Sequence, residues 1–357
     1  MTTIDPAFPM PRVGRLPSGA RDAISDVAGV TVGHVTLADG DCQTGVTVVR
    51  PHAGNVYTDK VPAAASVING FGKSIGLVQV SELGVLETPI ALTNTFGVGT
   101  VANAQIHQAI AANPQIGRDW ATVNSLVFEC NDGYLNDIQT LAVSEADYLA
   151  AYEAADVEFA QGAVGAGRGM SSFSFKGGIG SASRIAEIQP GQRYTVGALV
   201  LSNFGRLPLL TIAGRPFGKR FAEQQAGETG PEKGSIILLL ATDAPLDARQ
   251  LGRLSLRAAA GLARTGSVYG HGSGDISMAF STAYTVPHQA ERAMPAQAVL
   301  HEARIDKLFE AAAEACEQAI VAALWRAETV QGRDGHVRQA ITEAIPDWRQ
   351  WLTDADH

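Results

Sequence analysis

The run Ser235-Ile-Ile-Leu-Leu-Leu-Ala-Thr-Asp243 constrains the fold more than any other stretch of the chain. Successive side chains of an extended segment point to opposite faces, so the consecutive aliphatics Ile236 to Leu240 leave neither face fit for water. A strand of this kind needs a covering layer on each side. Amphipathic helices follow it, over Asp247–Arg264 with Leu251, Leu254, Ala258 and Leu262 on one stripe, and over Gln297–Glu328. Other short apolar runs read as strands: Gly29–His34, Thr44–Val49, Ser66–Ile68, Gly76–Val80, Ser125–Glu129, Thr195–Ser202 and Ile276–Val286. Further helices are predicted over Thr100–Ala112, stopping before Pro114, and from the Ser144/Asp147 capping box to near Gly162, with a helical tail over Val337–Leu352 broken near Pro346. Phe217–Gly234 is polar and aperiodic and reads as an exposed loop. This alternation predicts a layered α/β sandwich.

Composition narrows the function. With 357 residues, 46% hydrophobic and 18% charged, the chain can bury a sizeable core and is not disordered. The net charge of −9 gives no footprint for nucleic acid or an anionic membrane. No apolar run approaches the ~20 residues of a membrane span, and Met1-Thr-Thr-Ile-Asp-Pro6 lacks a basic, then apolar, leader. The expectation is a soluble cytoplasmic protein. Cys42, Cys130 and Cys316 are too few for a disulfide framework and read as buried thiols, and no His or Cys spacing suggests a metal site.

Several motifs are weak by themselves. Gly72-Lys73-Ser74 mimics the end of a P-loop, but the required glycine is replaced by Val67. Gly165-Ala-Gly-Arg-Gly169 has the wrong spacing for a dinucleotide fingerprint and reads as a tight turn. His271-Gly-Ser273-Gly-Asp275 places three polar residues on alternate positions of an extended segment, although triads normally converge from distant segments. At Gly234-Ser235 a polar loop meets the buried strand. Attack of the serine hydroxyl on the preceding carbonyl there would form an ester, and water would release Ser235 as a new N-terminus. Its α-amine, with an ordinary pKa of roughly 7.7–8.0, is a suitable general base. Taken alone, the dipeptide is better explained as an ordinary loop-to-strand junction.

The run Gly234-Ser-Ile-Ile-Leu-Leu-Leu-Ala-Thr-Asp-Ala-Pro-Leu246 resembles the self-cleavage site of the DmpA-type L-aminopeptidase/D-esterases and β-peptidyl aminopeptidases, peptidase family S58. Further segments resemble that family in the same order: Asp26-Val-Ala-Gly-Val-Thr-Val-Gly-His34, Pro89-Ile-Ala-Leu-Thr-Asn-Thr95, Asn131-Asp-Gly-Tyr-Leu-Asn136, Lys176-Gly-Gly-Ile-Gly180, Ser202-Asn-Phe-Gly205 and His271-Gly-Ser-Gly-Asp275.

The resemblance implies a four-layer αββα sandwich, shared with ornithine acetyltransferases and like N-terminal-nucleophile hydrolases in layers but not connectivity. It implies one catalytic unit, 1–357, cut into 1–234 and 235–357. By the same resemblance Ser235 is the nucleophile, Asn203 the oxyanion donor, Ser273 and Asp275 the groups beside the nucleophile, and Glu129 the anchor for the substrate's ammonium. Relatives carry glutamate where Asp275 stands. The implied reaction releases small N-terminal amino acids from peptides, amides or esters without metal or cofactor, in a homo-oligomer of αβ units. The alternatives are an ornithine-acetyltransferase-type acyltransferase, whose nucleophile is threonine, and an uncut binding module without catalysis.

Overall fold

The aliphatic run occupies an interior strand, Lys233–Thr242, of a seven-stranded sheet. It pairs parallel with Gly272–Ser281 and antiparallel with Gln192–Asn203. Asp59–Gly70 continues the sheet beyond Gly272–Ser281, and Gly178–Gln189 continues it beyond Gln192–Asn203. This computed structural model describes residues 10–224, 233–296 and 298–353. A second sheet of four strands runs Thr31–Asp39, Cys42–Arg50, Ile90–Asn94, Val127–Cys130.

Alternation along the aliphatic strand builds two cores. Ile236, Leu238 and Leu240 pack with Leu251, Leu254 and Leu262, and with Ile320 of the long helix Asp306–Trp325. Ile237, Leu239 and Ala241 pack instead with Val32, Val49, Leu92 and Phe128 of the smaller sheet. Each of the five large aliphatics is essentially inaccessible to solvent, worth about 2 kcal/mol apiece in transfer free energy. The outer face of the smaller sheet, through Val46, Val48, Ala91 and Val127, meets Val98, Val101 and Tyr148 from the helices Val98–Ala112 and Glu145–Glu153. The layers are therefore helix, sheet, sheet, helix, the αββα sandwich.

Several local expectations are corrected. Gly76–Val80 is the start of a helix, Leu77–Leu83, bracketed by left-handed Gly76 and Gly84; a five-residue apolar run does not distinguish helix from strand. Phe217–Gln224 is helical rather than loop, because Phe217 and Phe221, one turn apart, pack on Trp351. The rest of that stretch, 225–232, lies outside the described residues, as do Met1–Pro6 and Gln297. Asp247–Arg264 splits into Ala248–Ser255 and Ala258–Arg264. The Ser255 carbonyl accepts from Ser277 Oγ at 2.8 Å, which draws it out of the helical ladder. The long helix begins at Asp306 instead of near residue 297, after a short 3-10 turn at Glu302–Arg304, and ends at Trp325. The Ser144/Asp147 capping box is present, but its helix stops at Glu153. The tail forms a short strand, Val337–Arg338, then Ile341–Ala344 and Trp348–Thr353 on either side of Pro346. Cys130 and Cys316 are buried free thiols whose pKa burial pushes up, whereas Cys42 is half-buried. Among the described residues no helix is long and apolar enough to cross a membrane, and no cluster of three His, Cys, Asp or Glu could hold a metal.

Candidate active site

Strand register gathers the polar residues. Ser235 stands opposite Asn203 on one neighbour and Gly274 on the other, while Gly234 faces Ser273 and Ile236 faces Asp275. Ser235 is 4% exposed. Its Oγ donates to its own preceding carbonyl, Gly234 O, at 2.5 Å, and accepts from Gly274 N at 3.2 Å. Gly234 has φ +126°, a conformation hostile to L side chains, and a Cβ there would run into Asn203 O. Glycine is therefore required immediately before this serine. The hydroxyl sits against the carbonyl of the peptide bond that joins the two residues.

Asn203 ends the Gln192–Asn203 strand and is held at both ends of its amide: Oδ1 accepts from Ser171 N at 2.8 Å, and Nδ2 donates to Asn131 O at 2.9 Å. The Ser171 amide follows a glycine-rich loop tied by Lys176, whose buried ammonium donates to the carbonyls of Gly167, Met170 and Gly177, each at 2.8 Å. Burial without a carboxylate in hydrogen-bond contact holds the Lys176 pKa well below its ordinary value. Next to Asn131, the fully buried Asp132 accepts from Asn136 Nδ2 at 3.1 Å, and burial raises its carboxyl to about 6.

Ser273 and Asp275 are fully buried and joined by a 2.5 Å hydrogen bond from the serine hydroxyl to Asp275 Oδ1. Alternation puts them on the helical side of the sheet, because Ala279 packs there and Ile276, Met278 and Phe280 pack toward the smaller sheet. Ser235 is on the inter-sheet side with Leu199 and Leu201, so the Ser273–Asp275 pair lies beneath the Gly234–Ser235 backbone rather than beside the Ser235 hydroxyl. Asn69 Nδ2 clamps the turn below them, donating to the carbonyls of Ser273, Gly270 and His271. His271 is exposed, its ring 6.2 Å from that of Phe71, and it forms no triad with Ser273 and Asp275.

Glu129 enters from the smaller sheet. It is 2% exposed, accepting from Lys73 N at 2.8 Å through Oε1 and from Thr95 Oγ1 through Oε2. Among the described residues no lysine or arginine ion-pairs with it, so this buried carboxylate is oriented by neutral donors only. Gly72 bridges the two sheets: a Cβ on it would lie 3.5 Å from Glu129 Oε1 and 3.8 Å from Gly274 Cα. The misleading Gly72-Lys73 dipeptide is thus part of this site through its backbone. A cavity of about 870 Å³ is lined by Glu129, Asn203, Gly234 and Ser235 together, with Phe71, Thr95, Asn131, Arg206 and Arg338 among its walls. Ser273 and Asp275 do not line it.

A model of peptidase family S58 matches residues 22–338. The chain belongs to peptidase family S58. It is 39% identical over 349 residues to the β-peptidyl aminopeptidase BapA of Sphingosinicella microcystinivorans, covering 91% of this chain and 87% of the relative. A solved protein of Pyrococcus horikoshii superposes with a TM-score of 0.91 at 47% identity, over 97% of this chain and 98% of that one. The L-aminopeptidase D-Ala-esterase/amidase of Ochrobactrum anthropi, described as a prototype for the serine aminopeptidases with a variant of the Ntn-hydrolase fold, gives a TM-score of 0.86 at 33% identity over 96% and 98%. This S58 protein is accordingly a hydrolase of the serine aminopeptidase class, acting on peptides.

Sequence reasoning missed Asn69, Lys73, Thr95, Asn131 and Ser171 as supports of the site. Thr95 and Asn131 fall at the edges of quoted family segments, which was a usable signal. The Lys73 and Ser171 contributions are backbone amides, which no residue type announces.

Proposed function

We propose that the chain cuts itself between Gly234 and Ser235, giving 1–234 and 235–357, and then works as an N-terminal-serine aminopeptidase. The observation that carries this reading is the 2.5 Å approach of Ser235 Oγ to the Gly234 carbonyl oxygen at a φ of +126°. Attack on the Gly234 carbon forms the C–O bond as the C–N bond breaks, and the hydroxyl proton passes to the departing nitrogen, moving the acyl group from nitrogen to oxygen. Water then cleaves the ester, leaving a Gly234 carboxylate and a free Ser235 α-amine beside its own hydroxyl.

In turnover the substrate's ammonium docks on Glu129, whose oxygens are already aimed by Lys73 N and Thr95 Oγ1. The neutral α-amine takes the proton of Ser235 Oγ, which attacks the first carbonyl carbon. One N–H of Asn203 is committed to Asn131 O, and its second donates to the oxyanion. The resulting α-ammonium protonates the leaving amine, and water hydrolyses the acyl-enzyme. From beneath the backbone, Ser273 receives a hydrogen bond from the α-amine, and Asp275 fixes the rotor of Ser273 while favouring the ammonium form.

The substrates proposed are small N-terminal amino acids in peptide, amide or ester linkage, and the chemistry needs neither metal nor cofactor. A cytoplasmic homo-oligomer of cleaved units is carried forward with this reading; the exposed apolar side chains of Val67, Val78 and Leu83 offer surface for self-association. A panel of p-nitroanilides of glycine, L-Ala, D-Ala and β-Ala, each with a free and an N-acetylated amine, tests the assignment. Release of nitroaniline only from the free amines is expected. Equal turnover of the acetylated forms would remove Glu129 from its role.

A further inference from the structure

We propose that Arg206 and Arg338 form a carboxylate subsite on the leaving-group side of the cavity, so that the enzyme selects short peptides by their free C-terminal carboxylate as well as by their amine. The inference rests on the reading of Ser235 and Glu129 given above. Both arginines line the same cavity as Glu129, Asn203 and Ser235. Both are half-buried, and the Nε of each is shut off from solvent without a hydrogen-bond partner. Among the described residues neither guanidinium has an ion pair, whereas Arg12, Arg168, Arg184, Arg264 and Arg292 all do. Carboxylates are not scarce in this chain, which carries 36 acidic residues against 27 lysines and arginines. These two arginines, with Lys73 Nζ 4.5 Å over the Phe71 ring as a third cation on the same wall, are a poor arrangement for stability and a good one for an incoming anion.

Local structure holds Arg338 in place, and the chain path sets Arg206 beside Asn203. Arg206 follows three residues after Asn203, across the Phe204–Gly205 step. Arg338 lies over the Tyr134 ring, 3.7 Å from Cζ to the centroid, and Tyr134 stacks in turn on His336 at 4.6 Å. Arg333 Nε donates to Gly133 O at 2.7 Å, and His336 Nδ1 lies 2.8 Å from Tyr134 O, so the tail segment is fastened to the Asn131–Asn136 loop. Stacking orients a guanidinium without consuming its donors, and the planar fork matches a carboxylate. With Glu129 for the ammonium, the cavity has the charge pattern of a short zwitterionic peptide.

The test compares β-Ala-L-Ala with its C-terminal amide, using β-Ala p-nitroanilide as the substrate that lacks any carboxylate. Wild type is expected to favour the acid by about tenfold or more in kcat/KM, mostly through KM. Arg206→Gln and Arg338→Gln are expected to collapse the acid-to-amide ratio toward one, and Arg338→Lys to restore part of it. The wild-type ratio decides the matter even where a variant fails to fold. A ratio near one with the p-nitroanilide still hydrolysed overturns the subsite and points to the Gly234 carboxylate freed by scission as the anion for these arginines. Failure to hydrolyse the p-nitroanilide overturns the nucleophile reading itself, and the subsite with it.

Discussion

Two ionic regions lie against the large sheet, and they are treated oppositely. At the edge strand, Arg184 pairs with Asp22 at 3.1 Å and with Glu314 at 3.4 Å, and also donates to Val13 O at 2.7 Å. Glu314 in turn accepts from the amides of Arg15 and Leu16 at 2.9 Å each, so the N-terminal segment is laid across the long helix by answered charges. In the cavity, among the described residues, Glu129 meets only neutral donors, and Arg206 and Arg338 meet no carboxylate. The first region spends its charges on holding one segment to another. The second leaves them without an opposite charge among the described residues, which agrees with the charged ligand proposed for it.

The sharpest way to break this contrast is Ser235→Ala. It should leave the chain uncut and lower aminopeptidase turnover by about 10⁴-fold or more, read by gel mobility and p-nitroanilide assay. Processing at the normal rate in that variant would displace Ser235 as nucleophile. Arg184→Met strikes the other region: it leaves the buried Glu314 without its arginine and Asp22 with Arg12 alone, and should cost about 3–5 kcal/mol of stability in a denaturant melt. The activity per folded molecule should hold, which separates the structural ions from the functional ones. Asn203→Ala should lower kcat by about 10²–10³ while the melt moves far less, since it removes the donor proposed for the oxyanion.

A smaller effect sharpens the comparison through pH. Burial raises the Asp132 carboxyl to about 6, above its ordinary 3.8. Between those values the folded chain holds a proton that the unfolded chain releases, so this group's contribution is fully present below about pH 4 and is lost as pH rises through 6. Asp132→Asn should flatten that slope and raise stability at pH 7 by about 1–3 kcal/mol, measured as melting temperature against pH. An unchanged slope would place the titration elsewhere.

The layered sandwich was legible because the Ile236–Leu240 run admits no wet face, whereas the Gly234-Ser235 dipeptide drew notice only through the family segments around it. Glycine at 234 could be suspected from sequence, but only the Asn203 carbonyl across the strand pair explains why nothing larger fits. The supports of Glu129 were not legible, because a carboxylate at 129 meets Thr95 and the Lys73 amide only once strands far apart in the chain are in register. The face occupied by Ser273 and Asp275 was likewise set by the parallel pairing of two strands, which a pentapeptide does not reveal. Short runs failed for a simpler reason. Leu77–Leu83 and Phe217–Gln224 are too brief for their periodicity to choose between helix and other states, and packing decided them.

The most direct test is the intact mass and N-terminal sequence of freshly purified, active wild-type protein under denaturing conditions. Two fragments meeting between Gly234 and Ser235, the smaller beginning Ser-Ile-Ile-Leu, are predicted. A single full-length mass carrying only the original amino terminus, in a preparation that hydrolyses its substrates, would contradict the account.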